Sequence, residues 1–227
     1  GVVVEKGSEV TEFDVGDEVY GMDMRLRTSA CAGYASIATR RIARKPANIS
    51  HLEAGVAPLA ALTALQGFKV AGLERGQRIL IIGASGGVGT YAVQIAKDWG
   101  AEVTAVCSYR NIDLVKSLGA DHVIDYTKED FTQNGQQYDL IIAANGYHPI
   151  SDYKRALTPT GIYVMTGGST AQMFQAMTMG PWISMTSSKT MSNMGPTATA
   201  TASACPRARA RAPARVCPCA RARARSP

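Results

Sequence analysis

The stretch from Arg78 to Lys97, RILIIGASGGVGTYAVQIAK, constrains the fold of this chain more than any other. A short apolar run is followed by glycines and then by apolar residues at helical spacing, which predicts a strand, a tight turn and a helix. Glycines have no Cβ, so the backbone of such a turn can come close to a phosphate group. The N–H groups at the start of the helix attract the same anion. The stretch therefore predicts a phosphate-binding turn.

The spacing of the glycines favours a dinucleotide. The usual pattern is G-x-G-x-x-G, and here Ala84-Ser85-Gly86-Gly87-Val88-Gly89 departs from it only at the first position. Strand-to-helix turns without a ligand also contain glycines, but this one lies inside a repeating strand–helix pattern. We expect four of its residues to contact the ligand: Ser85, Gly86, Gly87 and Val88.

That repeating pattern predicts an α/β fold of the Rossmann type, a doubly wound parallel sheet covered by helices on both faces. Strands are predicted at Ile79–Ile82, Glu102–Cys107, His122–Asp125, Leu140–Ala143, Ile162–Thr166 and Trp182–Thr186. Helices are predicted at Val88–Trp99, Ile112–Leu118 and around Ile150–Leu157.

Three regions that differ in composition and residue pattern predict the domain organisation. Residues 1–50 contain short, turn-rich strand patterns, at Gly1–Lys6 and Ala35–Ala43 among others, typical of part of a small β-barrel. Ser50-His51-Leu52-Glu53 is a capping box that opens a helix near Ala54, and this helix ends at Gly72 or Gly76. Residues 51–196 are predicted to form the nucleotide-binding domain.

Residues 197–227 form a tail of almost only Ala, Arg, Pro, Thr, Ser and Cys, which cannot bury a core and is predicted to be disordered. A natural basic arm that binds nucleic acid is one interpretation. The other, which we favour, is a reading-frame slip in G/C-rich DNA, because Ala, Arg and Pro all have codons built only from G and C. The tail carries seven arginines, and without them 17 basic residues face 18 acidic ones. The rest of the chain is therefore almost neutral and gives no reason to expect specific nucleic-acid binding.

Cysteine content and hydropathy predict a cytoplasmic protein. Outside the tail only Cys31 and Cys107 remain, which argues against a disulfide framework. No basic-then-apolar leader opens the sequence, and no run of apolar residues is long enough to suggest a membrane span. The chain begins at Gly1 within a predicted strand, so we expect a protein truncated at its N-terminus.

Five segments of the chain, in their sequences and in their order, resemble those of the medium-chain dehydrogenase/reductase superfamily, specifically of its zinc-independent quinone oxidoreductase branch. They are VVVEKGSEVTEFDVGDEVYG, KPANISHLEAGVAPLAALTALQGF, GASGGVGTYAVQIAK, SLGADHVIDY and GIYVMTGG. The resemblance runs from Gly1 to about Met194. It implies a nearly complete dinucleotide-binding domain and a partial GroES-like substrate domain at the N-terminus.

Zinc ligands are not expected. Zinc-dependent members have a lobe of closely spaced cysteines. Between Gly21 and Pro46 this chain has a single cysteine, Cys31, and therefore no such lobe. They also place a catalytic cysteine just before the helix with the LTA string, where this chain has Val56–Ala60 without a thiol.

The expected cofactor is NADPH. Sites for NADH usually place Asp or Glu about 20 residues after the glycine turn, to bind the ribose hydroxyls. The end of the second predicted strand, Val106–Asn111, contains no acid. Ser108 and Arg110 could instead bind a 2′-phosphate through charge-assisted hydrogen bonds. By resemblance, Tyr126 lies near that phosphate.

The remaining predicted contacts follow from the edge of the sheet and from the resemblance. Ligands bind beyond the carboxyl ends of parallel strands, where this chain presents Asn145 and then Thr166, Gly167 and Gly168. By similarity, Thr166–Gly168 flank the nicotinamide, and Thr63, at the start of a helix, faces its carboxamide. No residue is identified as the proton donor.

The resemblance implies hydride transfer from NADPH to a quinone or an α,β-unsaturated carbonyl, both small molecules. A nucleotide-binding fragment without turnover, an enoyl reductase and a zinc-free alcohol dehydrogenase remain open. The oligomeric state also remains open, since a homodimer through sheet-edge pairing is common in similar proteins.

Overall fold

The computed structural model describes residues 1–22, 32–167 and 190–193. These residues fall into two compact units, the described parts of Gly1–Leu62 and of Thr63–Ala198. The division lies inside a helix rather than at residues 50 and 51. The predicted domain boundaries, including that of the tail at residue 197, remain predictions.

The first unit contains little regular β-structure. Strand β1 (Val19–Gly21) pairs antiparallel with β2 (Ile42–Arg44), which follows a short 3₁₀-helix at Thr39–Arg41. The strand predicted over residues 1–6 is wrong, because this segment forms only an isolated bridge between Val2 and Glu18. Of the strand predicted at residues 35–43, only the last two residues lie in β2. A partial GroES-like barrel therefore remains a prediction.

Helix α1 spans His51–Ala71 and begins with the predicted capping box. The Ser50 N–H donates to Glu53 Oε2 (2.8 Å), and the Glu53 N–H donates to Ser50 Oγ (3.2 Å). The helix starts three residues before Ala54 and ends at Ala71, directly before Gly72, whose φ of +63° suits the residue after a helix. By length and composition alone α1 could cross a membrane. Buried helices of soluble proteins meet the same criterion, and Ala64 and Phe68 of α1 are fully buried in the core of the second unit.

The second unit confirms the predicted Rossmann-type fold. Its strands are β3 (Arg78–Ile82), β4 (Glu102–Cys107), β5 (His122–Asp125), β6 (Tyr138–Ala143), β7 (Leu157–Met165) and β8 (Thr190–Asn193). Its helices are α2 (Gly87–Asp98), α3 (Ile112–Ser117) and α4 (Ile150–Ala156). The strands form one parallel sheet in the order β5-β4-β3-β6-β7-β8. The strand predicted at residues 182–186 lies outside the described residues.

Two apolar clusters cover the two faces of this sheet. Successive side chains of a strand point to opposite faces. Accordingly, Ile79 and Ile81 of β3 pack in one cluster with residues of α1, α2 and α3, whereas Leu80 and Ile82 pack in the other with residues of α4. All four isoleucine and leucine side chains are fully buried. The sheet is therefore covered on both sides, and ligands have access mainly at its carboxyl edge.

Candidate functional site

The glycine turn lies where the order of the strands reverses, because β3 has β4 on one side and β6 on the other. The crevice at such a point is the usual ligand site of open α/β sheets. Gly83 directly follows β3 and has a φ of +77°, a conformation that favours glycine. A Cβ added to it would lie 3.1 Å from the Cβ of Asn145, so the turn packs closely against the loop after β6.

Helix α2 presents its N-terminus at this turn. Its first hydrogen bond runs from the Thr90 N–H to the Gly86 carbonyl (2.9 Å), so the N–H groups of Gly87, Val88 and Gly89 have no helical acceptor. No side chain caps the helix at Gly86. Gly86 and Gly87 are exposed, and a Cβ added to Gly87 would meet nothing within 4 Å. These open, positively polarised N–H groups suit a pyrophosphate.

Gly89 has a different role in the same turn. A Cβ at this position would collide with the Gly83 carbonyl oxygen and lie 2.6 Å from the Cα of Ala84. Glycine is thus required here for helix α2 to approach the end of β3, which agrees with the third glycine of the dinucleotide pattern.

Two serines meet beside the turn through a residue that the sequence analysis missed. Asn111 donates from Nδ2 to Ser85 Oγ (3.2 Å) and to Ser108 Oγ (3.3 Å). Ser85 belongs to the glycine turn and Ser108 follows β4, so the amide joins the ends of two neighbouring strands. From the sequence, an asparagine at the start of a helix indicates a capping residue, which is why this contact gave no signal.

The side chain of Arg110, which follows Ser108 by two residues, contacts the neighbouring Tyr109. Arg110 donates from Nε to the Tyr109 hydroxyl (3.0 Å), and its guanidinium carbon lies 5.5 Å from the centre of the Tyr109 ring. Both residues are exposed. The structure therefore places Arg110 at the expected end of β4, with its guanidinium against Tyr109.

Two half-exposed tyrosines lie further along the same edge. Tyr126 follows β5, Tyr147 lies in the loop after β6, and their ring centres are 6.2 Å apart at 59°. Partial burial, together with nearby Tyr153 and Asp130, raises the pKa of Tyr147 to about 12. Its hydroxyl therefore stays protonated at physiological pH and can donate a hydrogen bond. The sequence predicts a role for Tyr126 and gives no signal for Tyr147.

The loops after β6 and β7 are joined by backbone hydrogen bonds. The Thr166 and Gly167 N–H groups donate to the Ala143 carbonyl (2.9 and 3.2 Å), and the Gly146 N–H donates to the Gly167 carbonyl (3.3 Å). This network brings Asn145 and Thr166 to the same end of the sheet as the glycine turn. Gly168 lies outside the described residues.

Thr63 lies in the middle of α1, so its predicted place at the start of a helix is wrong. Helix α1 begins at His51, contains Pro58 and continues without a break past Thr63. One turn beyond Thr63, a Cβ added to Gly67 would lie 3.6 Å from Thr166 Cγ2. Residues four apart share a helix face, so Thr63 lies on the face of α1 that meets the end of β7.

Tyr153 of α4 holds the loop that carries Asn145. Its hydroxyl accepts hydrogen bonds from the N–H groups of Tyr147 and His148, both 3.1 Å long. Its ring is buried between those of Phe131 and Tyr163. The stacked rings thus fix the hydroxyl under the loop.

Replacing Tyr153 by phenylalanine is expected to lower the free energy of unfolding by about 1–3 kcal/mol, since two N–H groups lose their acceptor. Urea denaturation measures the change. Tyr138→Phe is the matched control, because in the part of the chain that the structure describes the buried Tyr138 hydroxyl accepts no backbone N–H. Equal losses in both variants would contradict the anchoring role of Tyr153.

Two ionisable groups at this edge are structural. Thr127 donates to Asp125 Oδ1 from its hydroxyl (2.8 Å) and its N–H (3.1 Å), and these bonds hold the pKa of Asp125 below its usual value. Burial raises the pKa of the Cys107 thiol, and the neighbouring Asp125 charge raises it further. The thiol is therefore protonated and a poor metal ligand.

A parallel sheet of this order, with an open glycine turn at the reversal of strand order, defines a dinucleotide-binding domain of the Rossmann type. The family model described as "Zinc-binding dehydrogenase" matches residues 87–204, just over half of the chain. The chain belongs to this family of the medium-chain dehydrogenase/reductase superfamily, in its quinone oxidoreductase branch.

Individual relatives agree with this assignment. A tomato protein (Solanum lycopersicum) named 2-methylene-furan-3-one reductase is 38% identical over 186 residues, which are 78% of this chain and 46% of the relative. The quinone oxidoreductase structure from Coxiella burnetii has a TM-score of 0.72 and 30% identity over 86% of this chain and 60% of that one. The CurK enoyl reductase structure has a TM-score of 0.72 and 27% identity over 86% and 58%. The chain thus spans about half the length of these proteins.

The family description implies zinc, and the described residues do not fit it. Residues 1–22, 32–167 and 190–193 contain no group of three or more His, Cys, Asp or Glu side chains that could hold a metal ion. A zinc site requires three or four such ligands.

Proposed function

We propose that this chain is the nucleotide-binding part of an oxidoreductase that transfers a hydride from NADPH to a quinone or an α,β-unsaturated carbonyl compound without zinc. The observation that carries the proposal is the open glycine turn at the N-terminus of α2. The names of the similar proteins, a furanone reductase, a quinone oxidoreductase and an enoyl reductase, support this class of acceptor.

The choice of NADPH rests on the end of β4. Ser108 and the exposed Arg110 follow this strand, and Ser85 of the glycine turn is joined to Ser108 through Asn111. No acid lies between residues 106 and 111. A carboxylate there would repel a 2′-phosphate, whereas hydroxyls and a guanidinium bind it. Asp125, at the end of the next strand, is buried, and its Oδ1 accepts both hydrogen bonds from Thr127.

The chain's own residues would bind and orient the cofactor. The N–H groups of residues 87–89 would hold the pyrophosphate, and Tyr126 would bind near the adenosine phosphate. Asn145, Thr63 and the backbone of Thr166 and Gly167 would contact the nicotinamide. When bound, NADPH supplies the hydride, and the acceptor takes up a proton from solvent or from a donor that we do not assign.

The acceptor, location and partners of the protein belong to the same proposal: a small-molecule acceptor, a cytoplasmic location, no specific nucleic-acid partner and no metal. A homodimer is also part of this proposal. We further propose that residues 1–50 contribute part of the substrate domain.

Deuterium transfer tests the proposed reaction. The chain is incubated with NADPH labelled at one face of C4 and with an α,β-unsaturated ketone, and the product is examined by mass spectrometry and NMR. We expect deuterium at the β-carbon with only one of the two labelled faces. The Gly86→Ala variant, whose methyl group obstructs the turn, is the control that should lose the transfer.

Tight NADPH binding without transfer to any ketone or quinone would contradict the reductase and favour a nucleotide-binding fragment without turnover. Transfer to an enoyl thioester but not to a ketone would favour the enoyl reductase, an alternative supported by the likeness to CurK.

A further inference from the structure

We propose that Asn111 is a positioning residue that turns the hydroxyls of Ser85 and Ser108 into hydrogen-bond donors for the 2′-phosphate. Asn111 would thereby set the preference of this site for the phosphorylated dinucleotide. The inference rests on the proposed function and assigns to that site a residue and a mechanism of selectivity.

The direction of the two hydrogen bonds carries the argument. The Asn111 amide nitrogen Nδ2 donates to both serine oxygens, at nitrogen–oxygen distances of 3.2 Å for Ser85 and 3.3 Å for Ser108. A hydroxyl that accepts a bond still has its own hydrogen to donate. Among the described residues, neither serine hydroxyl donates to a protein acceptor. Both hydrogens are therefore available to a ligand at this edge.

The asparagine side chain is diverted from its usual local role. Asn111 occupies the N-cap position of α3, where asparagine is favoured because its side chain can accept N–H groups of the helix. Here it makes no such bond. Its backbone is held separately, since the Asn111 N–H donates to the Ser108 carbonyl (2.9 Å). The side chain thus serves the two serines, and its loss removes no cap.

This arrangement distinguishes the two nicotinamide dinucleotides. A phosphate only accepts hydrogen bonds, so two free hydroxyl hydrogens suit it. The 2′-hydroxyl of the unphosphorylated cofactor offers only a neutral acceptor oxygen, to which the same two hydroxyls bind more weakly than to a charged phosphate. The partly buried position of all three side chains limits competition from water.

The test is an equilibrium titration of the 227-residue chain and its variants with NADPH and with NADH. For Asn111→Ala we expect NADPH affinity to fall about threefold to tenfold, while NADH affinity changes by less than about twofold. For Asn111→Asp, which accepts from both hydroxyls and adds a negative charge, we expect NADH to become the better ligand. Urea denaturation confirms that each variant is folded.

A double-mutant cycle separates positioning from a general structural effect. If Asn111 acts through the serines, Asn111→Ala should change NADPH affinity by less than about twofold in a Ser85→Ala/Ser108→Ala background. An undiminished effect in that background, or equal losses for NADPH and NADH, would overturn the inference and leave the proposed function intact. An unmodified chain without preference for NADPH would overturn both.

Discussion

Replacing Gly89 by alanine is expected to destabilise the second unit by about 3 kcal/mol, because a methyl group there overlaps main-chain atoms that cannot rotate away. The added Cβ would collide with the Gly83 carbonyl oxygen and lie 2.6 and 2.8 Å from the Cα and carbonyl carbon of Ala84. Relief requires helix α2 to move away from β3. Such a movement weakens the packing of α2 against the central strand β3. Urea denaturation monitored by circular dichroism measures the loss in the free energy of unfolding.

Gly87→Ala is the matched control for this prediction. It adds the same methyl group to the same helix, in open space. Alanine favours helices over glycine by about 1 kcal/mol, so the control should be as stable as the unmodified chain or slightly more stable. Similar stabilities for Gly89→Ala and Gly87→Ala would contradict the close approach of α2 to β3.

Replacing Gly86 by alanine is expected to lower NADPH affinity about tenfold or more while the chain stays folded. The backbone of Gly86, with φ −79° and ψ 173°, is open to any residue. An added Cβ would lie 3.3 Å from the Gly83 carbonyl oxygen, a contact that small shifts can relieve. The same methyl group stands where the backbone must approach the pyrophosphate. Fluorescence titration with NADPH measures the loss.

The stability cost of Gly86→Ala should stay below about 1 kcal/mol, the usual difference between glycine and alanine at an N-cap. Gly55→Ala serves as the control for affinity, since Gly55 is exposed on α1 and an added Cβ meets nothing within 4 Å. Undiminished binding by Gly86→Ala would place the nucleotide elsewhere.

The sheet of the second unit was predictable from local pattern. Strands β4 and β5 begin and end at the predicted residues, and β3 differs by one residue. These strands are short apolar segments that are flanked by glycines or by segments with helical spacing of apolar residues. The local sequence pattern of each strand therefore agrees with its place in the parallel sheet. Strand β6 starts two residues early and β7 five residues early, because pairing with neighbouring strands extends them beyond the apolar run.

The first unit and the details of the site were less predictable. The strand expected at residues 1–6 depended on partners distant in sequence, and only Val2 finds one, in Glu18. Helix α1 runs without a break from His51 to Ala71, so Thr63 lies within it and not at the start of a helix. The contact of Asn111 with Ser85 joins residues 26 positions apart, and no local pattern distinguishes it from a helix cap. Side-chain direction is decided by tertiary contacts that spacing does not encode.

An equilibrium titration of the unmodified chain with NADPH and, separately, with NADH tests whether the carboxyl edge of this sheet binds a 2′-phosphorylated nicotinamide dinucleotide. We expect saturable binding of NADPH at an affinity at least about tenfold higher than that of NADH, from two charge-assisted hydrogen bonds at the phosphate. Tighter binding of NADH would contradict the role of Ser85, Ser108 and Arg110. Failure to bind either nucleotide would contradict the site itself.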